Sequence, residues 1–291
     1  MQLILVIIFI FSFIFSSRFR CVCLHPLLTI YYLIKDIYKY IRYRRWREYK
    51  KYGTLNIYTG LFGKGKTLVL TKMARKIYKK YNNKKVYDFS DKCWKTQQIH
   101  IVSNVHINDI PYIKLHQLND MLTYATDGYN DGVSVWLFLV DEMSTQINSR
   151  SFKTNFSTEL LGILLTCRHY RFCIYGTAQR FQHVDALVRG VTQTSRECDK
   201  VWRLAKVSYY DAWKIENVSD ITKIKPQKTT CLFIKDSDYN AYDTSAVVDN
   251  FKDAFERGDV LSDKEILENM ALNQDYSASK FNYKWRFKRK L

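Results

Sequence analysis

The chain opens on an unbroken apolar run, Leu3 to Phe15, in which only Ser12 is polar. Extended through Ser17 as a helix it would rise about 25 Å, near the lower limit for a bilayer span. The stretch "LLTIYYLIKDIYKYIRYRRWREYKKYG" then has the spacing of an amphipathic helix, with aromatic residues beside basic ones and Gly53 at its end. From Thr54 the pattern changes to short apolar runs alternating with helical ones. "TLNIYTG" reads as a strand entering a glycine turn, and "KTLVLTKMARKIYKKY" as a helix with Leu68, Met73 and Ile77 inward. "QIHIVSNVHI" is a second strand, "IKLHQLNDMLTYAT" a short helix after Pro111, and "SVWLFLVDE" a continuously apolar, buried strand. "STELLGILLTCRHY" reads as a helix, "RFCIYGTAQ" as a strand and "VDALVRGVTQTSREC" as a helix with a basic face. "KVWRLAKVSYYDAWKIEN" suggests a strand or hairpin.

Apolar strands separated by helices mark an α/β fold with a mostly parallel central sheet covered on both faces. The predicted organisation is a membrane helix over 1–17, a basic juxtamembrane amphipathic helix over 18–53 and an α/β domain over 54–250. A peripheral helix and a basic tail follow over 251–291.

Charge sharpens this picture. The 291 residues carry a formal charge of +18, a surplus suited to a polyanion, either nucleic acid or an anionic membrane face. An AT-rich genome, which inflates lysine with Ile, Tyr, Asn and Phe, accounts for such a surplus equally well. The seven cysteines include no C-x-x-C pair and the six histidines are scattered, which argues against a zinc ribbon and against a disulfide framework. Met1 and Gln2 bring no side-chain charge ahead of the apolar run, whereas Arg18, Arg20 and a series of Lys and Arg residues follow it. That order favours a retained anchor over a cleaved signal peptide, with the N-terminus outside and the rest in the cytoplasm.

The candidate chemistry begins at Gly60-Leu61-Phe62-Gly63-Lys64-Gly65-Lys66-Thr67, which matches G-x-x-x-x-G-K-[ST] at every fixed position. Glycines let such a loop curl so that successive backbone N–H groups point at phosphate oxygens. The helix that follows, with Leu68 in its first turn, adds its positive dipole end. Lys66 is suited to the β and γ phosphates of ATP, and the Thr67 hydroxyl to Mg²⁺. Asp141 and Glu142 end the buried strand, where Asp141 is a candidate partner of the metal and Glu142 a candidate general base. Gln179, at the end of "CIYGTAQ", is a candidate sensor of the attacking water or γ-phosphate. Arg150 and Arg168 are candidates for an arginine finger acting across a subunit boundary, because a guanidinium neutralises phosphate charge bidentately.

In order, GLFGKGKT, LFLVDE, SR and CRHYRFCIYGTAQR resemble the zonula occludens toxin-like (Zot) proteins of filamentous phages, within the FtsK/HerA superfamily. "VSNVHI" resembles that family's Asn-bearing strand, and "YNAYDTSA" its closing Tyr-Asp-Thr element. The resemblance spans roughly residues 54 to 246. It implies a P-loop NTPase working as a membrane-anchored homo-oligomer, a hexameric ring or similar. Such a motor extrudes single-stranded DNA through the host inner membrane with phage coat or assembly proteins. Many relatives place their membrane helix after the ATPase domain, whereas the span here precedes it. A genome-packaging ATPase of the same superfamily, or a nucleotide-binding membrane adaptor with little hydrolysis, shares the nucleotide motifs. The basic tail Lys284–Lys290 suits DNA or acidic lipid alike.

Overall fold

Successive residues of the central strands point to opposite faces of one sheet, and both faces are buried. The computed structural model describes residues 16–116, 118–126, 131–143, 158–218 and 224–242. The anchor expected over 1–17, apart from Ser16 and Ser17, lies outside the described residues, as do Arg150 and everything after Tyr242. Among the described residues, no helix is long and apolar enough to cross a membrane.

Eight strands form the main sheet: β1 (Thr54–Thr59), β4 (Ile99–Ser103), β5 (Ile113–Lys114), β6 (Val135–Val140), β7 (Phe172–Ala178), β8 (Thr194–Val201), β9 (Leu204–Asp211) and β10 (Lys228–Phe233). Their order is β10-β9-β8-β1-β7-β6-β4-β5. Neighbours from β8 to β5 run parallel, and β8, β9 and β10 continue antiparallel. A separate antiparallel hairpin joins β2 (Lys84–Asp88) to β3 (Cys93–Gln97).

One face of the sheet presents Leu55, Ile57, Phe138, Val140 and Ile174 to helices α4 (Asp120–Thr126), α5 (Thr158–Thr166) and α6 (Ala186–Val191). The other presents Tyr58, Leu137, Leu139 and Tyr175 to α3 (Lys66–Tyr81), which buries Leu68, Leu70, Ala74 and Ile77. Met73 is only partly buried there. The result is a three-layer α/β/α body in which β1 and β6 are separated by β7 alone. The chain leaves β1 towards β4 on one side and leaves β7 for β8 on the other, which places a topological switch point at the C-terminal ends of β1 and β7.

Three expectations need correcting. The segment "TSREC" is not helical: α6 stops at Val191 and the residues enter β8 beside β1. The segment after Pro111 first adds β5 to the sheet and turns helical only at Asp120. The basic region is not one helix running to Gly53. It forms α1 (Ser17–Leu24), capped by Ser16, then α2 (Pro26–Arg42) with Pro26 at its first position, and a 3₁₀ turn at Arg45–Arg47. Arg44, at φ 48°, is in the left-handed region and breaks the helix.

After that turn the chain is extended and pinned. The Tyr49 N–H donates to Gln97 Oε1 at 3.0 Å, the Cys173 thiol donates to Lys51 O at 2.8 Å, and the Gly53 N–H donates to Phe172 O at 2.7 Å. A second tie closes the domain at its far end. Arg75 of α3 donates to Asp109 at 2.9 Å and to Asp238 of α7 (Asp236–Tyr239) at 2.9 Å. Asn108 then donates to the Asn240 and Ala241 carbonyls at 2.7 and 2.8 Å.

Candidate active site

The loop between β1 and α3 turns on glycines because side chains would not fit its path. Gly60 has φ +148°, and a Cβ there would come 2.8 Å from the Cys198 carbonyl oxygen of β8. Gly65 takes φ +78° at the N-cap of α3, a left-handed conformation that glycine adopts freely. The loop is tied back through Gly60 N–H to the Gln179 carbonyl at 3.2 Å and Lys64 N–H to Leu61 O at 3.3 Å. The first-turn amides of Lys66, Thr67 and Leu68 have no acceptor one turn earlier within the helix, so this end can bind an anion. The Leu68 side chain is in the core, which leaves its amide for that purpose.

Lys66 is buried, and its Nζ reaches back over the loop to Leu61 O at 3.3 Å. Lys64 is turned the other way and pairs with Asp199 of β8 at 2.6 Å. Thr67 Oγ1 meets the Asp141 carboxylate at 3.1 and 3.0 Å, so the loop and the acidic strand end share one rim of the sheet. Two converging hard oxygen donors suit Mg²⁺. Among the described residues, no group of three or more His, Cys, Asp or Glu could hold a metal on its own.

Asp141 is held from three sides. Thr177 Oγ1 of β7 donates to its carboxylate at 2.6 Å, while its backbone N–H and C=O exchange bonds with the Asn104 amide at 2.7 and 2.9 Å. Burial pushes the Asp141 carboxyl pKa up, against the hydrogen bonds from Thr177 and Thr67 and the charge of Lys66. Glu142 follows at φ +50°, a costly conformation for a residue with a Cβ, held by its N–H donating to Thr177 Oγ1 at 2.9 Å. Its carboxyl is also raised, first by burial and then by the neighbouring Asp141 charge, with Lys66 opposing. A carboxylate with a raised pKa is a better proton acceptor, as a general base requires.

Gln179 lines a cleft of about 740 Å³ together with Gly60, Leu61 and Lys64 of the loop and Glu197 and Tyr210 of the β8–β9 hairpin. That volume is ample for a nucleoside. Arg168 lies beside Gly53, where β1 begins, at the opposite edge of the sheet from the glycine loop. It is remote from the loop of its own subunit, and as a finger it would act on the site of a neighbouring one.

Several solved structures resemble this chain. The N-terminal domain of zonular occludens toxin from Neisseria meningitidis is similar at 17% identity and TM-score 0.45, covering 66% of this chain and 100% of that one. The genome packaging NTPase B204 from Sulfolobus turreted icosahedral virus 2 is similar at 9% identity and TM-score 0.40, covering 64% and 100%. The flagellar accessory protein FlaH from Methanocaldococcus jannaschii is similar at 12% identity and TM-score 0.36, covering 63% and 86%. No family model and no curated protein matches the chain.

Asn104 and Tyr242 belong to the stretches VSNVHI and YNAYDTSA, and Thr177 to CIYGTAQR, but their places at the site come from the fold. Thr177 and Asn104 orient the acidic pair from neighbouring strands, which no local spacing reveals. Tyr242 follows the Asn108 tie, and its hydroxyl pKa is pushed up to about 12 by burial and then by the charge of Asp141. Thr177→Val is expected to weaken Mg²⁺-dependent nucleotide binding about tenfold, the usual scale for losing the group that orients a metal ligand. Titration of a fluorescent nucleotide at several Mg²⁺ concentrations measures it. An unchanged Mg²⁺ dependence would remove Thr177 from the site.

Proposed function

We propose that the chain is an ATP-hydrolysing motor for phage assembly, of the Zot-like kind that extrudes single-stranded DNA. The observation that carries the hydrolysis is the contact of Thr67 with Asp141, with Glu142 next in the chain. On this reading the curled loop from Gly60 through Gly63, Lys64 and Gly65 and the amides of Lys66, Thr67 and Leu68 cradle the phosphates. The Lys66 ammonium neutralises charge on the β and γ phosphates as it builds up in transfer. Thr67 and Asp141 would hold Mg²⁺, which would draw electron density from the phosphate oxygens. Glu142 accepts the proton of the attacking water, with Gln179 at the neighbouring strand end. Arg150 remains a candidate finger acting across a subunit boundary. The nucleoside rests in the cleft of the β8–β9 hairpin, where Glu197 offers an acceptor to the ribose hydroxyls.

The finer setting rests on the motif order in the sequence. It comprises a ring of identical subunits, sequence-independent contacts to single-stranded DNA and assembly with coat proteins. It places the chain in the host inner membrane, anchored through 1–17 with its N-terminus outside. A ring that grips DNA hydrolyses ATP cooperatively with protein concentration and faster with its proper substrate. ATPase rates are therefore expected to rise with concentration and to be stimulated more by single-stranded than by double-stranded DNA. Stimulation only by duplex would favour genome packaging instead. No turnover under any of these conditions would leave a nucleotide-binding adaptor. In the same assay Glu197→Ala is expected to raise KM for ATP several-fold with kcat little changed.

A further inference from the structure

Helix α2 has 17 residues and buries none of them, although most are apolar or aromatic. Leu27, Ile30, Ile34, Ile37 and Ile41 are all at least half exposed, and their i, i+4, i+7 spacing aligns the four isoleucines on one stripe. Tyr31 and Tyr38 border that stripe, and Lys35, Lys39 and Arg42 occupy the far side. Its C-terminal end is fastened to the ATPase body: Tyr43 packs on Tyr87 at 4.3 Å and on Phe89 at 5.0 Å, ring centre to ring centre. The rest of the helix, about 25 Å at the usual rise, stands clear of the body.

We infer that α2 is an interfacial helix that lies in the surface of an anionic bilayer, with the isoleucine stripe among the acyl chains and the basic side at the headgroups. This inference is separate from ATP hydrolysis. The occupant follows from charge, width and position. Between Ser16 and Lys51 ten basic side chains face only Asp36 and Glu48 as acids, a balance that attracts anionic lipid. The apolar face, widened by Leu33 and the tyrosines, exceeds the narrow seam of a two-stranded coiled coil. The helix also offers too few acids for the oppositely charged flanking pairs that such a seam uses. DNA would leave the isoleucines exposed. Stable attachment takes two signals, and the apolar run Leu3–Phe15 lies next in sequence to this cationic, amphipathic one.

The test places an environment-sensitive fluorescent amino acid at position 34, 37 or 35 of the full chain. The chain is held in nanodiscs of phosphatidylcholine alone or with one third phosphatidylglycerol. Expected are a blue shift and quenching by spin-labelled acyl chains at 34 and 37, several-fold weaker at 35, and present only with the anionic lipid. Emission at 34 and 37 as in water on anionic discs would overturn the proposal. So would shielding in both disc types that grows with the number of copies per disc, which marks a second copy. Shielding that appears only when DNA is added marks a nucleic-acid face and would overturn it too. ATPase activity enters none of these readouts, so the two proposals stand or fall separately.

Discussion

Glu142→Gln is expected to lower the ATP turnover number by about 10²- to 10⁴-fold, the usual contribution of a positioned general base. Nucleotide affinity should stay within a few-fold of the parent, because the amide keeps the size of the side chain and touches no phosphate contact of the loop. Steady-state phosphate release and equilibrium nucleotide titration, run side by side, separate the two effects. The pH profile supplies a second readout. The Glu142 carboxyl is raised above its ordinary value of 4.5 by burial and then by Asp141. Its base form is present above that raised folded pKa and is lost as pH falls through it. The acid limb of turnover should therefore lie above that of an exposed glutamate and should vanish in the residual activity of the variant. Undiminished phosphate release would remove Glu142 from the chemistry.

Lys66→Ala should act one step earlier, on binding. The lysine is buried at the base of the loop, and its charge opposes the upward shift of both acidic carboxyls. Removing it deletes the side-chain cation at the phosphates and moves both carboxyl pKa values further up. Loss of a buried, hydrogen-bonded charge partner costs about 2–5 kcal/mol, so nucleotide affinity should fall by at least about 30-fold. A thermal shift on adding Mg²⁺-ATP, clear in the parent, should disappear. Lys64→Ala is the matched comparison, because Lys64 points to Asp199 on the surface. It should weaken binding only slightly. Equal loss in the two variants would mean that general positive charge, rather than the seat of Lys66, holds the anion.

What could be read in the sequence was whatever is continuous along it. The runs Trp136–Val140 and Phe172–Ala178 are apolar because both sheet faces cover them, and the glycine loop is fixed by its backbone needs. The start of strand β8 reads as helix in the sequence because its side chains are committed elsewhere than in a core. Arg196 lies over the rings of Tyr58, Tyr175 and Tyr209 within 5.2 Å, Asp199 pairs with Lys64, and Glu197 faces the cleft. A strand that serves a site on one side and a buried cation on the other shows no period of two in hydropathy. The hairpin of β2 and β3 and the strand β10 escaped for a simpler reason, since most of their residues are exposed and little apolar patterning is needed. Thr177 and Asn104 meet Asp141 only because β7 and β4 flank β6, a fact of strand order that lies outside any local window.

The pinned stretch from Tyr49 to Gly53 has a mechanical meaning. It joins the helix that ends at Arg42 to the strand that carries the glycine loop, and its bonds run into β3 and β7 rather than into a slack tether. A pull on the N-terminal region would load these hydrogen bonds sideways, in shear, before any of it reached β1. In the proposed motor, force on the sheet would therefore pass to the N-terminal side through these bonds.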